Sequence, residues 1–128
     1  MTVQEQGAFA ALAGQQYMNL TTFRRSGEGV VTPVWFAQEG AKLYVMTRPG
    51  TGKLKRIRNG ARVLVAPATA RGEPLGEAAE GRARIMEPAE DAVAKRALDR
   101  KYGLLKRLFD LAGRFSRESA VHIEIVPS

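Results

Sequence analysis

The apolar positions in the first half of the chain alternate with polar ones. Glycine-containing turns separate three such segments, 17–23, 30–37 and 42–47. A period of two is typical of strands with one buried face, so three antiparallel strands are predicted in succession. Before them, Phe9 and Leu12 have helical spacing within residues 5–16, which predicts a short N-terminal helix.

The second half of the chain mixes helical and strand patterns. Thr51 is predicted to cap a helix over 53–58, which the Asn59-Gly60 pair ends. Strands are predicted over 62–66, 77–86 and 120–126. Between the last two, Pro88 is predicted to open a helix that Gly103 interrupts and that continues to residue 113.

This order of elements indicates the fold class. About six strands in hairpin succession, with a short helix after the third strand and helices before the last, predict a small antiparallel β-barrel with added helices. The length of 128 residues is within the range of one domain, 1–128.

Composition excludes several classes of function. The chain has no cysteine and one histidine, His122, so disulfides, thiolate catalysis and cysteine or histidine-pair metal sites are excluded, and no metal site is expected. His122 lies in an alternating strand, where a structural role is favoured over a catalytic one. No segment approaches about 20 apolar residues, and the first residues do not resemble a signal peptide. We therefore expect a cytoplasmic protein with no integral membrane segment.

The positive charge is concentrated in one region. Lysine and arginine exceed the acidic residues by 20 to 13, and residues 48–62 contain six basic residues and no acidic one. Within this region Thr47, Thr51, the backbone N–H groups near Gly52, and Lys53 are a suitable donor set for a phosphate. The spacing is not that of a nucleotide-binding P-loop. A solvated basic helix is the alternative interpretation.

Several motifs resemble one family. They are Tyr-Met-Asn-Leu-Thr-Thr-Phe at 17–23, Gly-Val-Val-Thr-Pro-Val-Trp-Phe at 29–36, the loop at 47–53 with Arg58-Asn59, and Val-Leu-Val-Ala-Pro at 63–67 followed by Arg71-Gly72. Together they are similar to the pyridoxamine 5'-phosphate oxidase-like split β-barrel superfamily, especially its actinobacterial branch that uses the deazaflavin coenzyme F-420. Gly52 and the Asn59-Gly60 pair depart from the usual superfamily pattern.

The resemblance implies a homodimer with cofactor sites at the subunit interface. The phosphate would lie in the loop at 47–53 and the ring against residues 32–35, with the second subunit completing the pocket. The residues expected to bind the cofactor are Thr32, Pro33, Val34, Trp35, Thr47, Arg48, Thr51, Gly52, Lys53, Arg58, Pro67 and Arg71. Trp35 has a second interpretation, as a core aromatic residue.

The expected function is that of a coenzyme F-420-dependent oxidoreductase, which transfers a hydride between the cofactor and a small organic acceptor. Deazaflavin is favoured over FMN because its tail carboxylates would be attracted to Arg48, Lys55, Arg56 or Arg71. No side chain is predicted to be catalytic, because the cofactor supplies the redox chemistry. The alternatives are an FMN-dependent oxidoreductase and a noncatalytic cofactor-binding protein. A nucleic-acid-binding barrel is third, because the aromatic residues lie within apolar runs.

Overall fold

The computed structural model describes residues 7–111 and 120–128. Seven antiparallel strands form one sheet with the order β2-β1-β5-β6-β7-β4-β3. The strands are β1 (Tyr17–Phe23), β2 (Gly29–Trp35), β3 (Ala37–Glu39), β4 (Lys42–Thr47), β5 (Arg62–Ala68), β6 (Ala79–Ile85) and β7 (Val121–Pro127).

The sheet curls round so that its two outer strands are consecutive in the chain. Only Phe36 separates β2 from β3, although these strands stand at opposite ends of the sheet order. β2 also contacts β4, the neighbour of β3. The predicted antiparallel barrel is therefore confirmed.

The strand count is seven instead of about six, because the predicted strand 30–37 divides at Phe36. The hydroxyl of Tyr102 accepts a hydrogen bond from the Phe36 N–H at 2.9 Å and lies 2.8 Å from the Phe36 carbonyl oxygen. A side chain 66 positions away thus contacts the backbone groups that would otherwise continue the ladder.

The barrel interior is filled by apolar side chains that alternate along the strands. Met18, Leu20, Val63, Ile123 and Ile125 are each at most 1% exposed. Burial of a side chain of this size contributes about 1.5–3 kcal/mol. A second apolar cluster includes Tyr44, Met86, Ala94 and Leu98 and fills the space between the sheet and the long C-terminal helix. These two clusters hold the strands and helices in place around the candidate site.

Two α-helices accompany the sheet. Helix α1 (Gly52–Asn59) buries Leu54 and Ile57 in the barrel core and ends at Gly60, as predicted. Helix α2 (Asp91–Leu111) follows a 3-10 turn over Pro88–Glu90. Gly103 interrupts α2 with φ +38° and ψ −107°, which confirms the predicted break. The predicted continuation from 112 to 113 lies outside the described residues.

The N-terminal helix differs from its prediction. It is a 3-10 helix over Gly7–Leu12, shorter than the helix predicted within residues 5–16. Phe9 and Leu12 are its buried residues, and a spacing of three matches the three residues per turn of a 3-10 helix. Residues 5 and 6 are outside the described part of the chain.

Among residues 7–111 and 120–128, no helix is long and apolar enough to cross a membrane.

Candidate anion-binding site

The turn between β4 and α1 places polar side chains beside the barrel core. Thr47 is the last residue of β4 and is buried. Gly50 has φ +79°, a left-handed conformation that glycine adopts without steric cost, and it turns the chain toward α1. Thr51 then occupies the position before the helix in an extended conformation. The first N–H groups of α1 have no partner within the helix, so they are available to a ligand.

Lys53 and Arg56 add two positive charges to this region. The Lys53 Nζ lies 3.5 Å from the Thr47 Oγ1, at the limit of a hydrogen bond. The Arg56 side chain folds back over the start of α1, and its Nη1 lies 2.7 Å from the position of a Cβ on Gly52. Its Nε donates a hydrogen bond of 2.6 Å to the Thr22 Oγ1. Thr47, Thr51, Gly52, Lys53 and Arg56 together form the α1 cluster.

The Thr51 hydroxyl has an unsatisfied hydrogen-bonding capacity. Thr51 occupies the predicted N-cap position, but the predicted capping hydrogen bond is absent. Its Oγ1 is buried and has no hydrogen-bond partner among residues 7–111 and 120–128. An unsatisfied buried hydroxyl costs about 1–3 kcal/mol, and a ligand oxygen at this place would remove that cost.

The electrostatics of the α1 cluster favour an anion. Burial lowers the pKa of Lys53, and the neighbouring charge of Arg56 lowers it further. Lys53 also stands in the first turn of α1, where the helix dipole is positive and a cation is unfavourable. A phosphate would reverse each of these effects, because it supplies the negative charge that the two cations and the helix end lack.

The predicted residues of β2 lie next to β4 but differ in their environments. Thr32 and Val34 are half-buried and pair with core-facing residues of β1, whereas Pro33 is exposed on the other face. Trp35 is half-buried, and its ring stacks on Tyr102 with a centroid distance of 4.4 Å. In the ligand-free chain, the Trp35 side chain therefore packs as a core aromatic residue.

Pro67 and Arg71 belong to a second group of residues, at the end of β5 and in the loop that follows it. Pro67 is buried in β5, and Arg71 is exposed in the following loop. Asn19 holds this loop, since its Nδ2 donates a 2.8 Å hydrogen bond to the Gly72 carbonyl. A Cβ on Gly72 would stand 3.8 Å from the Pro33 Cγ. The loop and Pro33 are therefore neighbours.

Arg48 and Arg58 have exposed side chains on either side of the α1 cluster. Arg48 begins the loop before α1, and Arg58 is in the last turn of the helix. The predicted residues thus fall into four groups. These are the members of the α1 cluster, residues 32–35 of β2, Pro67 with Arg71, and the two exposed arginines.

The whole chain was compared with models of known protein families. The family model described as pyridoxamine 5'-phosphate oxidase matches residues 5–125. The chain belongs to this family. The match includes β1 to β6, most of β7 and the α1 cluster.

Solved structures with the same fold have diverse ligands in their names. An FAD-binding protein from Mesorhizobium loti is 18% identical, with a TM-score of 0.69, and the match covers 100% of this chain and 91% of that one. An F420 reductase is 20% identical, with a TM-score of 0.61 and coverage of 95% and 94%. A haem storage protein from Vibrio cholerae is 11% identical, with a TM-score of 0.65 and coverage of 90% and 83%. At these identities the likeness shows the split-barrel fold alone. No curated protein sequence matches the chain.

The sequence missed Thr22 and Asn19 as site residues, and it assigned Arg56 to the cofactor tail instead of to the α1 cluster. Arg56 follows Lys53 by three positions, so their shared helix face was readable from the sequence. The contact of Arg56 with Thr22 was not readable, because 34 positions separate them. Asn19 was not singled out from the sequence, although its Oδ1 is buried and has no hydrogen-bond partner in the described part of the chain.

His122 packs inside this member of the pyridoxamine 5'-phosphate oxidase family. It is fully buried, and its Nδ1 lies 2.9 Å from the Asp91 Oδ1 at the start of α2. Within residues 7–111 and 120–128, no group of three histidine, cysteine or acidic side chains is placed to hold a metal ion. His122 therefore links β7 to α2.

Proposed function

We propose that the chain is an oxidoreductase that binds the deazaflavin coenzyme F-420 and exchanges a hydride with a small organic acceptor. The observation that carries this proposal is the buried, unpartnered Thr51 hydroxyl beside Lys53 and Arg56 at the start of α1. Membership of the pyridoxamine 5'-phosphate oxidase family supports a phosphate ester as the ligand of this cluster.

The α1 cluster fits a phosphate in both charge and hydrogen bonding. Thr47 and Thr51 offer hydroxyl groups, and Gly52 lets the Arg56 guanidinium approach the helix start closely. Lys53 and Arg56 supply two positive charges, which match a phosphate dianion. Within α1, four of the eight residues are basic and none is acidic, so no internal carboxylate competes with the ligand.

We place the cofactor ring along residues 32–35 of β2. Two observations support this: β2 contacts β4, and β4 ends at Thr47 of the α1 cluster. Because the Trp35 side chain already packs on Tyr102, the strand backbone would provide most of the ring contact. Arg71 and Pro67 would line the far side. Val31 is 55% exposed on β2, an apolar surface that the second subunit of a homodimer would cover.

When bound, the cofactor supplies the hydride chemistry. This chain binds its phosphate, orients its ring against β2 and limits the access of water to the acceptor. No side chain of this chain is assigned a proton-transfer step.

The exposed cations of α1 support the deazaflavin over FMN. Lys55 and Arg58 are exposed, and in the described part of the chain neither forms an ion pair. The deazaflavin carries carboxylates beyond its phosphate, and FMN ends at the phosphate. Since the α1 cluster itself recognises only a phosphate, FMN is the alternative cofactor, and a noncatalytic cofactor carrier is the alternative function.

Titration of the purified protein with matched ligands tests the binding step. We expect coenzyme F-420 to bind more tightly than FMN, and each to bind more tightly than its phosphate-free counterpart. Lys53→Ala should lose about 1.5–3 kcal/mol of binding free energy, the range for a hydrogen bond to a charged group. Lys95→Ala, at an exposed position of α2, is the matched control. Equal affinities for phosphorylated and phosphate-free ligands would contradict the proposal.

A second measurement separates an enzyme from a carrier. Reduced coenzyme F-420 should be reoxidised by a quinone or nitroaromatic acceptor in the presence of the protein, and Lys53→Ala should slow this reaction at low cofactor concentration. Tight cofactor binding with no turnover on a broad acceptor panel would favour the noncatalytic alternative. Sedimentation velocity tests the homodimer independently.

A further inference from the structure

A cavity lies apart from the α1 cluster. It has a volume of about 400 Å³ and opens between α2, β3 and the 3-10 helix Gly7–Leu12. Pockets of this size accommodate small organic molecules. None of the residues that line it belongs to α1 or to residues 47–53.

About half of the surface that lines this cavity is apolar. Leu12, Phe36 and Ala97 line it and are themselves at most 3% exposed to solvent, so its floor consists of closely packed apolar side chains. Gln38 fastens the 3-10 helix to β3, since its Nε2 donates a 3.1 Å hydrogen bond to the Phe9 carbonyl. An apolar group that enters this space would meet a preformed surface.

Lys101 places a positive charge at this apolar floor. Its Nζ lies 3.5 Å from the centroid of the Phe36 ring and 5.3 Å from that of Tyr102. Within the part of the chain that the structure describes, no carboxylate or other hydrogen-bond acceptor pairs with this ammonium group. Lys101 lines the cavity and is exposed as a whole residue, while its amine is partly buried.

The other charged groups of the cavity neutralise each other. Arg100 forms an ion pair with Glu39 across the opening. The 3-10 helix contributes no charged side chain, and burial raises the pKa of Tyr102, so its hydroxyl stays neutral. One uncompensated positive charge, that of Lys101, therefore faces the cavity.

We infer that this cavity binds a small organic monocarboxylate, whose carboxylate contacts Lys101 and whose apolar or aromatic body lies on Leu12, Phe36 and Ala97. A phosphate is disfavoured here, because its second charge would need a second free cation and Arg100 is engaged by Glu39. A neutral apolar molecule is disfavoured because it would cover the ammonium without replacing its solvation.

Protonation gives this site a specific signature. Partial burial lowers the pKa of Lys101 to about 8. A bound carboxylate favours the charged amine and raises that pKa. Binding at pH 8, where about half of the amines are neutral, should therefore take up close to half a proton, and binding at pH 6 should take up none.

Calorimetric titration of the full chain with benzoate tests the inference, and benzamide serves as the neutral probe of similar shape. We expect saturable benzoate binding, with proton uptake at pH 8 read from its dependence on buffer ionisation heat. Benzamide and the Lys101→Met variant should each bind at least about tenfold more weakly, the loss of a hydrogen bond to a charged group. Lys101→Arg should keep the binding and lose the proton uptake, and Lys95→Met on the exposed side of α2 should change nothing.

Three results would overturn the inference: no saturation by about 10 mM benzoate, equal affinity for benzamide, or unchanged binding in Lys101→Met. Competition with FMN is also informative. If FMN displaces benzoate, the two ligands share one site and the inference of a separate site is wrong. Simultaneous binding supports a separate site, and this result does not depend on the function proposed for the α1 cluster.

Discussion

Replacement of Thr51 with valine should change stability and ligand affinity in opposite directions. Among the residues that the structure describes, the buried Thr51 Oγ1 has no hydrogen-bond partner, a state that costs about 1–3 kcal/mol. Valine has the same shape, tolerates the extended backbone at φ −71° and ψ 153°, and removes no capping hydrogen bond. The free energy of unfolding of the ligand-free chain should therefore rise by about 1 kcal/mol, the low end of that cost.

The affinity for a phosphate ligand should fall in the same variant. A hydroxyl that donates to a charged phosphate contributes about 1.5–3 kcal/mol, which corresponds to a loss of about 10- to 150-fold in affinity. Thr51→Ser keeps the donor and should keep most of the binding.

Urea denaturation of the ligand-free chain and titration with FMN or coenzyme F-420 measure the two quantities. Thr22→Val is the matched control for stability, because the Thr22 Oγ1 accepts a 2.6 Å hydrogen bond from Arg56. Its loss should lower the free energy of unfolding by about 1–3 kcal/mol. If Thr51→Val lowers stability as Thr22→Val does and leaves affinity unchanged, the Thr51 hydroxyl is structural and the reasoning fails.

Three further substitutions test separate parts of the structure. Lys53→Met should stabilise the ligand-free chain at neutral pH in urea titrations. The lowered pKa means that folding disfavours the charged amine, so this gain should fade as the pH rises toward the ordinary value of 10.5. Tyr102→Phe should lower the free energy of unfolding by about 1–3 kcal/mol, because the buried Phe36 N–H loses its partner, and an unchanged urea midpoint would contradict this. Gly81→Ala should lower the free energy of unfolding by about 1–3 kcal/mol in the same urea measurement. The added Cβ would stand 2.9 Å from the Ile125 Cγ2 and 3.1 Å from the Val126 carbonyl oxygen. Unchanged stability would mean that the backbone adjusts freely.

The fold was largely predictable because its signals are local. Alternation in segments such as 42–47, and Gly103 within α2, depend on residues close in sequence. The division of a predicted strand at Phe36 was not predictable, because it depends on Tyr102, whose hydroxyl also lies 2.7 Å from the Gln16 carbonyl oxygen. A contact between positions 66 apart has no signature in the pattern of apolar residues.

The candidate site divides in the same way. Thr47, Thr51 and Lys53 lie within seven consecutive residues, so one turn was enough to predict their proximity. The position of Arg56 over Gly52 depends on a side-chain rotamer and on Thr22 in another strand, and neither could be derived from spacing. Arg56 was expected to attract the tail carboxylates of the deazaflavin. Its Nε instead donates a hydrogen bond to Thr22, beside the predicted position of the phosphate.

In the ligand-free chain, the α1 cluster lowers the free energy of unfolding, and a bound ligand would offset this loss. The structural neighbours share the barrel at 11–20% identity, although their names include FAD, F420 and haem. The apolar core of the barrel in this chain consists of residues other than Thr51 and Lys53. In this chain Thr51 and Lys53 weaken the free fold through an unsatisfied hydroxyl and a partly buried amine. A ligand at a hundredfold excess over its Kd stabilises the folded state by about 2.7 kcal/mol, enough to offset a cost of this size. A rise in Tm with FMN or coenzyme F-420 that disappears in Lys53→Met would show that the two effects are coupled, and an equal rise in both proteins would show that the phosphate binds elsewhere.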